Sequence, residues 1–102
     1  MKENPAPLEI PHYISSFELE EARLGQATQK IQIEHNAVPD PDLIKKTLRK
    51  IRIESVNAEF ALDFAARELI ESLIMSEDPS SQKRARDIRE LASRLLHLLL
   101  KK

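Results

Sequence analysis

The feature that most constrains this sequence is a 37-residue interval, residues 42–78, that contains neither glycine nor proline. Asp40-Pro41 precedes the interval and Asp78-Pro79 closes it. Aspartate at an N-cap followed by proline is a typical helix start, because the first helical N–H has no partner within the helix. The two pairs therefore predict helices that begin at residues 41 and 79.

Apolar residues keep one helical phase through most of this interval, at spacings of three and four residues. A single helix over residues 41–76 would be about 50 Å long. This pattern favours one continuous helix. The stripe consists of Ile44, Leu48, Ile51, Ser55, Ala58, Leu62, Ala65, Leu69 and Leu73.

The charges in the same interval argue for a break. The basic residues between Lys45 and Arg52 would crowd the positive end of a continuous helix, and the acidic residues between Glu59 and Glu71 would lie in its negative half. A break near residues 55–57 would place both groups at favourable ends, and Ser55 or Asn57 could cap the new helix. Because the stripe is unbroken, the continuous form is preferred and the break is the alternative.

The composition predicts an all-α fold. The chain has one glycine, one tyrosine and three phenylalanines, so it is poor in strand formers and hairpin residues. Ser15 and Glu18 have the spacing of a capping box and predict the start of a first helix. We expect a small bundle of three helices, at about residues 16–35, 41–76 and 79–100. Residues 1–11, with three prolines, predict a flexible arm, and residues 12–102 a single domain.

Cellular location is constrained only by what the sequence lacks. There is no cysteine and therefore no disulfide. The N-terminus lacks the apolar core of a secretory signal, and no stretch approaches the 18 uncharged apolar residues of a membrane span. We expect a soluble, cytoplasmic protein that does not bind membranes.

No residue pattern predicts catalysis. His12, His35 and His97 are far apart, and none has a second metal ligand at helical spacing. Acidic neighbours such as Glu59 and Asp63 lack the histidine partner of a di-metal site and are typical of a solvated helix face. The sequence therefore predicts no catalytic, cofactor or metal site, no small-molecule substrate and no enzyme activity.

The width of the apolar surface on two predicted helical segments points instead to protein binding. Residues 58–74 carry more apolar side chains than one stripe of about 100° can hold, and residues 91–100 include six leucines. A helix at the centre of the core would bury most of these apolar side chains, and an interface with a partner would bury the rest. We expect an adaptor, chaperone-like or regulatory module that binds another protein or a second copy of itself. The candidate interface residues are Phe60, Phe64, Ile70, Ile74, Leu96, Leu98 and Leu100.

Two basic clusters support an alternative, a regulator that binds DNA or RNA. Against it, the pI is about 6.3 and no aromatic residue accompanies the clusters. Ion pairs at i,i+4 spacing in the last helix offer a second explanation: Lys83 with Asp87, Arg86 with Glu90, and Glu90 with Arg94. The candidate phosphate contacts are Lys45, Lys46, Arg49, Lys50, Arg52, Lys83, Arg84, Arg86 and Arg89.

Overall fold

Four helices make up the described part of the chain. The computed structural model describes the backbone of residues 5–100 and the side chains of residues 18–100. The helices are α1 (Pro5–His35), α2 (Pro41–Glu54), α3 (Ala58–Met75) and α4 (Pro79–Leu100), and residues 5–100 contain no β-strand. None of these helices is long and apolar enough to cross a membrane. The predicted all-helical bundle is confirmed, with four helices rather than three.

The predicted continuous helix over residues 41–76 is wrong, because the chain breaks between α2 and α3. Ser55 adopts the left-handed conformation, with φ 53° and ψ 43°, and its N–H donates to the Ile51 carbonyl at 2.9 Å. Asn57 caps α3, since its Oδ1 accepts the Phe60 N–H at 2.8 Å. The break places Arg52 in the last turn of α2 and Glu59 in the first turn of α3. Both charges then complement a helix dipole, which is the physical reason that favoured this alternative.

The other helix starts lie largely where the sequence predicts them. Asp40 accepts the N–H groups of Asp42 and Leu43 at 3.0 and 3.4 Å, and α2 follows from Pro41. Helix α4 begins at Pro79, as expected. Helix α1 begins at Pro5, earlier than the predicted residue 16, and Pro5 occupies the first helical position, where its missing N–H needs no partner. The flexible arm over residues 1–11 stays a prediction, and its first four residues lie outside the described residues.

Helix α3 is the centre of the bundle. It makes its most extensive contacts with α4 and α2, and α1 packs across all three. Four of its buried residues are alanines, which let the neighbouring helices approach closely. The interior also holds large side chains from each of the other helices, among them Ile31, Ile51 and Leu95, each 0% exposed. The buried residues of α3 are Ala58, Ala61, Leu62, Ala65, Ala66 and Leu69.

A partly buried polar cluster ties α1 to the start of α3. The Glu20 carboxylate accepts the Ala58 N–H at 2.6 Å, a backbone donor that has no partner inside the helix. Arg23 donates to Glu20 at 2.8 Å, to both carboxylate oxygens of Glu59, and to the Leu99 carbonyl at 2.9 Å. Hydrogen bonding to Arg23 lowers the pKa of Glu59. One arginine thus joins α1, α3 and the end of α4.

A second arginine joins α4 to the start of α2. Arg84 donates two hydrogen bonds to Asp40, both at 3.0 Å, and one to Asp42 at 2.7 Å. The Arg84 guanidinium holds the pKa of Asp40 below its ordinary value, and the N–H of Leu43 adds to the effect. Asp40 therefore caps α2 and forms an ion pair with α4 through the same carboxylate.

Replacement of Ser55 by glycine tests the helix break. Glycine adopts the left-handed conformation without strain, so Ser55→Gly should stabilise the protein by about 0.5–1 kcal/mol. In a continuous helix the same change would destabilise by about 0.5–1 kcal/mol. Urea unfolding measures the sign directly, and a loss of stability would contradict the break.

Replacement of Asp40 by asparagine separates the ion pair from the cap, since asparagine is an equally good N-cap. A carboxyl group with a lowered folded-state pKa adds stability above its unfolded pKa of about 4, and this stability is lost as the pH falls through the folded value. Asp40→Asn should therefore lower the free energy of unfolding by about 0.5–1 kcal/mol at neutral pH. The difference from wild type should shrink below about pH 4. A difference that does not change with pH would contradict this assignment.

Candidate functional site

The structure brings together two of the seven predicted interface residues. Phe60 and Phe64 lie on the outer face of α3 with their rings stacked, 6.4 Å between centroids and 15° between planes. Their side chains are 54% and 40% exposed. Each exposed ring offers a large apolar area that a binding partner could bury.

The other five predicted interface residues lie elsewhere. Ile74 is exposed on α3, roughly three turns beyond Phe64, and Leu100 is exposed at the end of α4. The remaining three are half-buried and pack against the core, so they account for the apolar surplus of the sequence without forming a surface. These three are Ile70, Leu96 and Leu98.

A groove between α2 and α3 gives the aromatic pair its setting. The groove has a volume of about 350 Å³, and Phe64, Ala65 and Ile53 supply its apolar lining. Ile53 is 69% exposed and was not predicted as an interface residue. The sequence could have indicated that Ile53 is exposed, because it lies outside the buried stripe of α2. That stripe is formed by Leu43, Thr47 and Ile51. We call this feature, with Phe60 at its edge, the α2–α3 groove.

Charged side chains line the rest of the α2–α3 groove. Lys46, Arg49 and Lys50 come from α2, and Glu54 and Glu68 complete the lining. The Lys50 ammonium lies 3.5 Å from the centroid of the Phe64 ring and 2.6 Å from the Glu54 carboxylate. Its side chain is only 14% exposed. Lys50 is therefore held over one face of Phe64 by a cation–π contact and an ion pair together.

The nine predicted phosphate contacts divide into two groups. Four form ion pairs with carboxylates of this chain: Lys46 with Glu68, Lys50 with Glu54, Arg52 with Glu21, and Arg84 with Asp40 and Asp42. The other five are exposed and have no ion pair within residues 18–100. These are Lys45, Arg49, Lys83, Arg86 and Arg89.

Only part of the predicted ion pairing along α4 is present. Glu90 and Arg94 approach to 3.9 Å. Among the described side chains, Lys83 forms no pair with Asp87, and Arg86 forms none with Glu90, so these two expectations are wrong. The unpaired cations are divided between two helices, α2 and α4. Each of these helices packs mainly against α3 rather than against the other.

A larger groove, of about 450 Å³, lies between the segment that joins α1 to α2 and helix α4. Ala37, Ile88 and Leu91 contribute to its lining, and Val38 beside them is 84% exposed. Its charges include both signs, and Arg84 in its wall is already paired with Asp40 and Asp42. Its lining includes no aromatic residue, whereas Phe64 lines the α2–α3 groove.

The described side chains hold no arrangement suited to metal binding. Within residues 18–100 no three His, Cys, Asp or Glu residues lie close enough to share an ion. His35 and His97 are exposed and stand on different helices, and the side chain of His12 lies outside the described residues.

Comparison with known proteins finds partial similarity to two enzymes. No family model matches the chain, and no solved structure matches it. The phosphoenolpyruvate-protein phosphotransferases of Geobacillus stearothermophilus and Bacillus sp. (strain S) are 38% and 37% identical to it over 79 residues. These residues are 76% of this chain and 14% of each enzyme. The chain thus matches a domain-sized piece of the curated relatives and spans only a small part of their length.

Proposed function

We propose that this chain is a non-enzymatic protein–protein interaction module, an adaptor or regulatory subunit, with the α2–α3 groove as its binding surface. One observation carries the proposal: Phe64 and Ile53, both exposed, line one groove, and the exposed Phe60 ring stacks on Phe64. Burial of such side chains stabilises a complex by about 25 cal/mol per Å² of apolar area before ordering costs. Aromatic residues at the centre of an interface are common hot spots.

The similarity to the phosphotransferases supports a role in protein binding. As their name states, these enzymes act between phosphoenolpyruvate and a protein, so they must recognise a protein. The matched segment is 79 residues long, which is within the size range of a single domain. We assign no catalytic step to this chain, and we place it in the cytoplasm. The first partners to test are a phosphotransferase of this kind and the protein on which it acts.

Nucleic-acid binding remains the alternative function. The five unpaired cations on α2 and α4 favour it, since phosphate contacts need free Lys and Arg. Against it, Glu68 and Glu54 pair with Lys46 and Lys50, so Arg49 is the one basic residue of the groove lining that has no ion pair within residues 18–100. Affinity for nucleic acid would fall steeply with salt, whereas an apolar protein interface tolerates salt.

Capture of partners with the tagged chain tests the proposal. Wild type should retain a stoichiometric protein at low and high salt and after nuclease treatment. The double variant Phe60→Asp, Phe64→Asp should retain at least about tenfold less, because loss of hot-spot residues costs about 2 kcal/mol or more. The purified protein substrate of a phosphotransferase provides a direct binding measurement.

Ile33→Asp is the matched control, because Ile33 is 75% exposed on α1. It should capture the partner as wild type does, and circular dichroism should show both variants folded. Equal capture by the double variant would overturn the proposal. Recovery of nucleic acid that salt or nuclease abolishes would favour the alternative.

A further inference from the structure

We infer that the occupant of the α2–α3 groove is an acidic amphipathic helix of a protein partner. Its apolar side chains would contact Ile53, Phe60 and Phe64, and its carboxylates would face the basic wall of α2. This inference rests on the proposed function and specifies the partner's chemistry at the same surface.

The length and direction of the groove fit two turns of a helix. Lys46 of α2 pairs with Glu68 of α3, and Lys50 lies over Phe64, so residue numbers rise along one wall and fall along the other. The two helices are therefore antiparallel. From Lys46 to Ile53 the α2 wall extends about 10 Å, which equals the rise between anchors at positions i and i+7 of a bound helix.

The two walls of the groove differ in chemistry. Along α3 the wall presents Phe64, Ala65 and Glu68, with the Phe60 ring stacked on Phe64. Along α2 it presents three basic residues followed by one apolar and one acidic residue, at the three- and four-residue spacing of one helix face: Lys46, Arg49, Lys50, Ile53 and Glu54. A partner must then place apolar side chains against Phe64 and Ile53 and charged side chains against the basic residues of α2, which is typical of an amphipathic helix.

The sign of the partner's charge follows from the ion pairs already present. Lys46 and Lys50 each share one carboxylate with this chain, Glu68 and Glu54. Arg49 has no ion pair within residues 18–100, and neither has Lys45 one turn away. Arginine binds carboxylates through two parallel hydrogen bonds. The wall of α2 therefore has positive charge that an acidic helix, and not a basic one, would neutralise.

Two synthetic helical peptides test the inference. Both carry leucine at positions i, i+4 and i+7, and they differ only in flanking residues, glutamate in one and lysine in the other. Fluorescence anisotropy with the full chain should show the acidic peptide binding at least about tenfold more tightly than its basic twin. Arg49→Glu should weaken the acidic peptide at least about tenfold by reversing the charge at the wall. Phe64→Asp should abolish binding.

Arg89→Glu is the control, because Arg89 is an exposed arginine of α4 outside this groove. It should leave the affinity for the acidic peptide unchanged. Equal affinity for both peptides, or no binding of either, would overturn the inference. A single-stranded oligonucleotide that binds more tightly than the acidic peptide, and that Arg89→Glu weakens, would also overturn it. If capture of a protein partner requires Phe60 and Phe64 but not Arg49, the proposed function stands and only the inference of an acidic helix is rejected.

Discussion

The reversal of chain direction at residues 55–57 is the constraint on which the rest of this structure depends. Ser55 closes α2 in the left-handed conformation, and Asn57 opens α3 three residues after α2 ends. Because the connection is so short, α2 and α3 become antiparallel neighbours, and the groove between them exists only for that reason. The cost of a strained Ser55 backbone is offset by capping hydrogen bonds and by charges placed at favourable helix ends.

Helix α3 explains why the bundle needs four helices. Its buried alanines and leucines face α2, α4 and α1, so no single neighbour could cover it. The two arginine clusters then hold the ends of the covering helices: Arg23 joins α1, α3 and the end of α4, and Arg84 joins α4 to the start of α2. With these faces covered, the side of α3 that carries Phe60 and Phe64 is left in contact with solvent.

The sequence predicts the helix starts well because their chemistry is local. Asp40-Pro41 and Asp78-Pro79 each combine a capping carboxylate with a proline, and both helices begin at those prolines. The break was harder to place because Ile51 and Ala58, both 0% exposed, are seven residues apart. Seven residues are nearly two helical turns, so the apolar stripe looks the same whether the helix continues or is interrupted. The distribution of charge, which depends on where helix ends lie, was the better guide.

Only part of the candidate site follows from the sequence. Phe60 and Phe64 are four residues apart on one helix, so their proximity can be read from spacing. Ile53 and Lys50 reach them from another helix, and that contact depends on how α2 and α3 pack. The half-buried positions of Ile70, Leu96 and Leu98 likewise depend on packing, since a flank of the core and an exposed face have the same composition.

Fluorine NMR of the chain labelled with fluorophenylalanine tests the central claim most directly, because the sequence has only three phenylalanines. Phe60 and Phe64 report on the α2–α3 groove. On addition of a captured protein partner, the Phe60 and Phe64 resonances should shift and saturate together. A partner that binds without moving either groove resonance would contradict the assignment of the α2–α3 groove as the binding surface.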